Sequence, residues 1–443
     1  MPQQVPILIG SKNDRSKIEG AVTVLKNFGL EPIVLAGYSA HRTPELVAEF
    51  CRTAKRKGYR GILTAAGMAN HLSGTVAAKS RLPVFGIPLS GGPMEGLSAL
   101  YATVDMPPGV PVATFGIDAA ANAALHLIRQ LAIDDPALDR KLRGFIERGS
   151  NVKAPMPNHS GKVTDTFLLE GVRLGVVSDR LSAFDWVLDD PIPNKGRVLS
   201  QLTRHWLTET PLAWVCENHL LNYSVEDLPD WAQPLSDRVL ATAPYHMLQL
   251  ECIVRGYLVG SAWSEYQKHG TMHGEALPEG MVQAQRLPQA TFTPSTKAEE
   301  GAHDENINQS QAADIVGADM VEKARALSLA LFEAGTAYAA ERGIIILDTK
   351  FEFGINQDDN LVLCDEVFTP DSSRFVDAAT FEEGREPLSM DKQYARDWIL
   401  STGWDKEGTE PPPPLPLHVI AETGRRYEEI YGRLTGKSLL VAA

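Results

Sequence analysis

The sequence predicts an α/β domain built on a parallel sheet, followed by an α+β domain. Three observations lead there: strand, polar turn and helix alternate five times early in the chain, charge divides unevenly along it, and a charged hairpin occupies 348–374. Residues 1–150 hold 17 Lys and Arg against 12 Asp and Glu, a net of +5, while the remainder holds 25 against 44, a net of −19 within the total of −14. Such asymmetry marks two domains of different character. It also speaks against nucleic acid as partner of the larger one, since phosphate-backbone binding needs a basic face. The composition, 44% hydrophobic and 22% charged, is that of an ordinary globular protein. No run approaches the ~18 apolar residues of a membrane span and no basic-then-apolar leader opens the chain, so a cytoplasmic protein away from membranes is expected. Cys51, Cys216, Cys252 and Cys364 lack Cys-x-x-Cys spacing, which favours small buried hydrophobes over a zinc site or disulfide framework.

The α/β domain follows element by element. Residues 5–9 form an apolar run ended by Gly10-Ser11-Lys12-Asn13-Asp14, after which Ile18, Val22, Leu25 and Phe28 recur at helical spacing. The pattern repeats as 32–36 and a helix from Thr43, 61–65 and 72–79, 84–87 and 94–104, then 112–117 and 119–131. Strands alternating with helices imply a parallel sheet covered on both faces, a three-layer flavodoxin/Rossmann-like arrangement with ligands at the carboxyl ends of the strands. Three polar turns sit at those ends. Gly10-Ser11 opens a helix whose free amides and dipole favour an anion such as phosphate. In Tyr38-Ser39-Ala40-His41-Arg42-Thr43-Pro44, Thr43 is the expected N-cap and Pro44 the first helical residue. The third turn, 65–74, carries Gly67, His71, Leu72 and Gly74.

Gly-Ser-x-x-Asp, Ser-Ala-His-Arg-Thr-Pro, Gly-x-x-x-His-Leu-x-Gly and Asp105-Met106-Pro107-Pro108 together resemble the class I carboxyaminoimidazole ribonucleotide mutases of purine synthesis, over roughly 5–133. The resemblance implies that the carboxylate of N5-carboxyaminoimidazole ribonucleotide moves from the exocyclic nitrogen to ring C4, without ATP or metal. His41 is then the general acid/base, as an imidazole suits both proton transfers. His71 belongs with it, Ser11, Asp14, Ser39 and Arg42 hold the ribose phosphate and ring, and Gly67, His71 and Leu72 close over the carboxylate. Two positions depart from the family: Asp105 stands where Gln is usual, and Ser98-Ala99 where Asp-Ser is usual. Met68-Ala69-Asn70 leans toward class II relatives, which carboxylate aminoimidazole ribonucleotide directly, whereas His41-Arg42 and His71 favour class I. A third reading makes the domain a non-catalytic scaffold. The family's octamers imply that this domain assembles the chain as a homo-octamer.

A charged helix over 134–148 and a Gly/Pro-punctuated linker, 149–157, separate the first domain, 1–148, from the second, 158–443. Residues 160–174 read as a hairpin with a small Gly loop bearing Lys162, without Walker spacing. Polar residues then crowd Pro/Gly-rich loops: Ser178-Asp179-Arg180, Asn194-Lys195-Gly196, Glu251 to Arg255, Gly260-Ser261, Ser295-Thr296-Lys297 and His303-Asp304-Glu305-Asn306. A helix over 319–342 leads into an apolar strand, 344–347. In the hairpin beyond it, Asp348, Lys350 and Glu352 alternate with Thr349, Phe351 and Phe353, placing three charges on one strand face. A turn at 356–360 returns the chain through 361–364 to Asp365 and Glu366. That face fits either a solvated surface or a magnesium site carrying nucleotide phosphates. Residues 411–416 form a polyproline spacer and 419–434 an amphipathic helix.

These loops resemble phosphoribosylaminoimidazole-succinocarboxamide synthase, the SAICAR synthetase family, over nearly all of 158–437. The resemblance implies its ATP-binding fold and use of ATP to join L-aspartate to the C4 carboxylate of carboxyaminoimidazole ribonucleotide, the first domain's product. Residue by residue it implies Lys162 on ATP phosphates, Glu352 and Asp365 on Mg²⁺, and Lys350 on the transferring phosphate. Arg255, Ser261 and Arg374 would hold the ribonucleotide's phosphate and carboxylate, with Ser295, Lys297, Asp304 and Glu305 near substrate or aspartate. Asp348, Glu366 and Asp371 stand between ligand and supporting roles.

Overall fold

The computed structural model describes residues 2–184, 186–297, 305–406 and 408–442, and divides into two compact units, 1–156 and 157–443. Each is taken by itself. In the first, strands β1 (Gln4–Ile9), β2 (Glu31–Ala36), β3 (Ile62–Ala66), β4 (Val84–Pro88) and β5 (Ala113–Thr114) form one sheet in the order β2-β1-β3-β4-β5. Every pairing is parallel. β1 is an interior strand with helices over both its faces: Val5, Ile7 and Ile9 enter the core beneath helices α1 (Glu19–Asn27) and α5 (Ala120–Ala132). Leu8 joins the opposite core with α2 (Pro44–Ala54) and α3 (His71–Lys79). This is why β1 reads as an unbroken apolar run, not an alternating one. Helix α6 (Pro136–Glu147), capped by Asp135 accepting from Ala137 and Leu138 backbone N–H groups, closes the α5 side.

Two expected boundaries shift. Helix α4 spans Leu97–Val104 and not 94–104, because Glu95 and Gly96 hold left-handed φ angles of 46° and 96° that interrupt a helix. The fifth strand shrinks from 112–117 to Ala113–Thr114; Pro111 offers no N–H before it, and Asp118 turns left-handed after it. Thr43 is the N-cap residue as expected, but without the side-chain cap bond. Its hydroxyl donates to the Gly37 carbonyl (2.8 Å) and accepts from Ser39 N–H (2.8 Å), bracing the turn, and makes no cap bond to the helix; Pro44 is the first helical residue as expected.

The second unit is antiparallel throughout its main sheets. A four-stranded sheet runs in the order Val239–Thr242, Val172–Val177, Thr164–Leu169, His159–Ser160. A larger sheet is built around the twelve-residue strand Ile344–Ile355, flanked by Leu250–Tyr257 on one side and by Ser373–Asp377 and Leu361–Cys364 on the other. Phe351 and Phe353 are fully buried with Trp206, Phe332 and Tyr427 from helices Lys195–Glu209, Ala318–Ala340 and Leu417–Thr435. The 356–360 turn forms as expected, Asn356 Oδ1 accepting from Asp358 and Asn360 N–H. No disulfide forms. Burial pushes the thiols of Cys252 and Cys364 up to about 12, so they are inert packing groups. Among the described residues no helix is long and apolar enough to cross a membrane.

His219 shows how burial in this unit becomes pH dependence. Its Nε2 lies buried with no hydrogen-bond partner among the described residues, and burial, with nearby Arg173, lowers its pKa from 6.5 to about 4. The unfolded chain therefore binds this proton first. Stability holds above pH 6.5 and falls as pH drops toward 4, by about 2 kcal/mol at pH ~5. Urea melts at pH 7.5 and 5 should show that loss, and His219→Asn should flatten it; equal slopes in both proteins would contradict it.

Candidate active sites

The carboxyl ends of β1, β2, β3 and β4 surround a cavity of about 500 Å³. It gathers Ser11, Asp14, Ser39, His41, Arg42, Gly67, His71 and Leu72, all eight residues expected in the first domain. At its centre His41 Nε2 lies 2.9 Å from His71 Nδ1, the rings edge-on with centroids 4.9 Å apart. One nitrogen must carry the proton and the other accept it, so each ring sets its partner's tautomer. Ser11 caps the short 3₁₀ helix Lys12–Ile18. Its hydroxyl accepts from Asn13 N–H (3.2 Å), and Asp14 Oδ2 accepts from Ser11 N–H (3.0 Å). The amides expected to be free for an anion are therefore partly satisfied within the turn. Burial raises the Asp14 pKa.

The third turn is held from beneath. Asn70, at φ 31°, donates to Thr103 Oγ1 (2.8 Å) and accepts from Ser73 Oγ (3.1 Å), which in turn accepts from Thr64 Oγ1 (2.9 Å). This buried polar chain fixes the loop that presents His71. Ser98, one of the two departures, donates to the Met68 carbonyl (2.8 Å) and so steadies the same loop; Asp105 lies outside the cavity lining, at the end of α4. Sequence reasoning passed over Tyr38 and the Ser90-Gly91-Gly92 turn, which also line the cavity. The second was detectable, being the polar turn that ends β4.

In the second unit, pairing of Asp348 with both Arg255 and Arg374 in the sheet register brings the two guanidinium groups onto one carboxylate, at 3.1 and 2.9 Å from Asp348 Oδ2. Arg255 also reaches Thr293 Oγ1 (3.1 Å) and Ser261 Oγ (3.5 Å). Gly260 suits the left-handed backbone there (φ 57°), and an added Cβ would fall 2.5 Å from the Arg374 guanidinium and displace it. Two residues along the strand, Lys350 Nζ lies 2.6 Å from Glu251 Oε1 and 2.9 Å from Glu352 Oε1, while Lys297 pairs with Glu352 and Ser295 Oγ donates to Glu251 (3.3 Å). The alternating charges are thus a sequestered network and not a solvated face: Asp348 is 7% exposed and Glu352 8%.

Burial opposes ionisation of Glu352, but Lys350 and Lys297 outweigh it and hold its pKa below the usual range. Burial likewise disfavours charge on Lys350, and Glu352 and Glu251 reverse that. Asp365, following the Glu352–Cys364 pair, is driven the other way, its pKa raised by burial and then by Glu352. Glu366 is raised too, by burial and by Asp371 and Asp365, although Thr369 donates to it at 2.6 Å. Asp371 is met by Lys195 (2.7 Å) and the Tyr427 hydroxyl (2.6 Å). Lys162 is exposed in the turn after His159–Ser160, on the other sheet, where its carbonyl accepts from Arg180 Nε (3.3 Å). Glu305 is exposed beyond the Ser295–Asn306 bridge, and Asp304 lies outside the described residues. Glu251 and Thr293 were passed over as site residues. Glu251 shares a strand face with Arg255, the period-two signal that would have found it.

Comparison with known proteins agrees with this division. Residues 4–151 match the AIR carboxylase family model and 157–411 the SAICAR synthetase model. A phosphoribosylaminoimidazole-succinocarboxamide synthase of Streptomyces coelicolor is 45% identical over 302 residues, 67% of this chain and 99% of the relative; one of Neisseria meningitidis is 47% identical over 280 residues, 62% and 96%. The solved SAICAR-synthase from Saccharomyces cerevisiae, complexed with SAICAR, is 38% identical with a TM-score of 0.57, over 63% of this chain and 95% of that one. With its model covering more than half of the residues, the chain belongs to the SAICAR synthetase family, and an AIR carboxylase domain precedes that part.

Proposed function

We propose that the chain performs two successive reactions on one ribonucleotide. In the first unit, CO₂ leaves the exocyclic nitrogen of N5-carboxyaminoimidazole ribonucleotide as His41 protonates that nitrogen. Ring C4 then bonds to the CO₂, and the C4 proton returns to the imidazole. The carrying observation is the His41–His71 hydrogen bond inside a cavity that also holds the Ser11, Ser39 and Arg42 polar groups. Met68-Ala69-Asn70 motivates the second reading, direct carboxylation of aminoimidazole ribonucleotide. The whole chain, without ATP, should convert the N5-carboxylated nucleotide faster than its spontaneous rate and leave aminoimidazole ribonucleotide with bicarbonate unchanged. The reverse pattern would establish the carboxylase instead, and no turnover of either would leave only the scaffold.

In the second unit, the C4 carboxylate takes the γ-phosphoryl group of ATP, releasing ADP. The aspartate amine then attacks the acyl phosphate and expels phosphate, leaving the amide. The carrying observation is Lys350, held between Glu251 and Glu352 beside the Arg255–Arg374 pair: an ammonium fixed where phosphoryl charge must be dispersed, next to guanidiniums that grip anions. Burial, and then the nearby Glu352 charge, raise the Asp365 pKa, and a divalent cation would relieve that strain; Mg²⁺ needs only one or two protein carboxylates beside nucleotide phosphates. Glu352 and Asp365 are therefore its holders in this reading, and when bound it would neutralise charge on the ATP phosphates. Lys162 is assigned to those phosphates by resemblance.

Self-association is part of the same reading. Helix α4 exposes Leu97, Tyr101 and Val104 on one face, with Met94 and Met68 also exposed, more apolar surface than a lone domain ordinarily leaves uncovered. A homo-octamer joined through this domain covers it. The double variant Leu97→Asp, Tyr101→Asp should convert the assembly to smaller species by light scattering; an unchanged mass would remove α4 from the interface.

A further inference from the structure

The turn after β4, Ser90-Gly91-Gly92, forms a wall of the first unit's cavity that no motif marks and that the proposed chemistry leaves without a role. Gly91 and Gly92 hold φ angles of 124° and 71°, and their N–H groups have no hydrogen-bond partner among the described residues. Glycine loses more chain freedom on ordering than any other residue, so a turn built on two of them keeps its place only if something outside holds it. Ser90 is what is held. Its N–H donates to Asp118 Oδ1 (2.9 Å), in the turn after β5, and its carbonyl accepts from Lys17 Nζ, in the 3₁₀ helix Lys12–Ile18 that follows β1. Both bonds engage ionised side chains, the stronger kind. Since β3 lies between β1 and β4 in the sheet, Lys17 reaches past the β3 turn to make its bond.

That bond bears on the turn presenting His71. A Cβ on Gly67 would lie 3.5 Å from both the Leu89 and Ser90 carbonyl oxygens, and one on Gly92 would lie 2.8 Å from Met68 Sδ. The β3 and β4 turns are therefore packed together, and the carbonyl that Lys17 fixes is the one against Gly67. Lys17 also follows Asp14 by three residues, which puts both on one face of a 3₁₀ helix. Burial raises the Asp14 pKa, and the Ser11 N–H and the Lys17 charge oppose that rise. Lys17 itself is half-buried and stands behind the cavity lining.

We propose that Lys17 is a positioning residue for the first reaction, holding the Ser90-Gly91-Gly92 turn where the cavity fits the ribonucleotide. This role rests on reading the cavity as the carboxylate-transfer site. In the whole chain, Lys17→Met should raise KM for N5-carboxyaminoimidazole ribonucleotide about tenfold, with kcat within threefold because His41 and His71 keep their bond. Lys17→Arg should restore most of the loss. Asp118→Ala, which frees the other side of Ser90, should raise the same KM, and it decides the question if Lys17→Met does not fold. A KM within twofold of the parent overturns the proposal, as does a fall in kcat at unchanged KM or a KM rise that Lys17→Arg does not reverse. A lowered melting temperature with normal KM makes Lys17 structural only and overturns it too. If the parent instead carboxylates aminoimidazole ribonucleotide directly, the same comparison is read on that nucleotide. A parent that turns over neither nucleotide overturns the reading of the cavity itself, and the role of Lys17 with it.

Discussion

Replacing His41 with Asn is expected to slow carboxylate transfer by the first unit about 10²–10⁴-fold, while ATP-dependent amide formation by the same polypeptide continues at its normal rate. Asn retains a hydrogen-bonding side chain but cannot accept and return a proton, which both halves of the transfer need. The folded state should hardly register the change. His41 is exposed in this chain and, among the described residues, its side chain bonds to His71 alone, so the stability change should stay within about 0.5 kcal/mol. His71→Asn should do less damage, because it removes the group that sets the His41 tautomer and orientation while leaving the proton carrier. The measurement is absorbance-monitored conversion of N5-carboxyaminoimidazole ribonucleotide, corrected for its spontaneous decay. A His41→Asn protein within threefold of the parent rate would end the case for His41 as acid/base.

The first unit was legible because its polar turns sit where chain topology alone puts them. Apolar runs of strand length followed by helical spacing define a parallel sheet, and in such a sheet the turns after the strands must meet at one edge. Gly10-Ser11, Ser39 to Arg42 and Gly67 to Leu72 could thus be placed together without knowing a contact. What escaped was backbone conformation. Nothing in the apolar spacing of 94–104 reveals that Glu95 and Gly96 adopt left-handed angles, or that the Thr43 hydroxyl is taken by Gly37 and Ser39.

The second unit shows the opposite balance. Alternation correctly placed Asp348, Lys350 and Glu352 on one face, but a strand face has partners only through register, and register is a property of several distant segments at once. Pairing Ile253 with Lys350 and Arg255 with Asp348 is what carries Glu251 to the Lys350 ammonium. Lys392, the N-cap of helix Gln393–Ser401, and Arg396 in its first turn line one cavity with Arg255 and Arg374, with no sequence signal beyond two cations near an Asp.

Removing either proposed magnesium carboxylate should abolish amide formation, yet the two removals should move stability in opposite directions. Glu352→Ala takes the carboxylate partner from Lys297 and leaves Lys350 with Glu251 alone in a sequestered site, and breaking a buried pair from one side costs about 3–5 kcal/mol. Asp365→Asn removes a carboxylate that burial and Glu352 already disfavour, so without nucleotide and in the presence of a chelator it should stabilise the fold by roughly 1–2 kcal/mol. The sign follows from linkage. A carboxylate with a raised folded-state pKa penalises the fold above that pKa, and the penalty vanishes as pH falls below the unfolded value of about 3.9. The advantage of Asp365→Asn should therefore be full at pH 8 and fade on acidification. Adding Mg²⁺ and ATP should raise the parent's melting temperature and leave that of Asp365→Asn nearly unmoved. A strained carboxylate that destabilises the free protein and is indispensable to turnover has the thermodynamic signature of a group kept for its ligand. If Asp365→Asn instead weakened the fold and kept its activity, Asp365 would be a structural partner and the metal would have to be sought elsewhere.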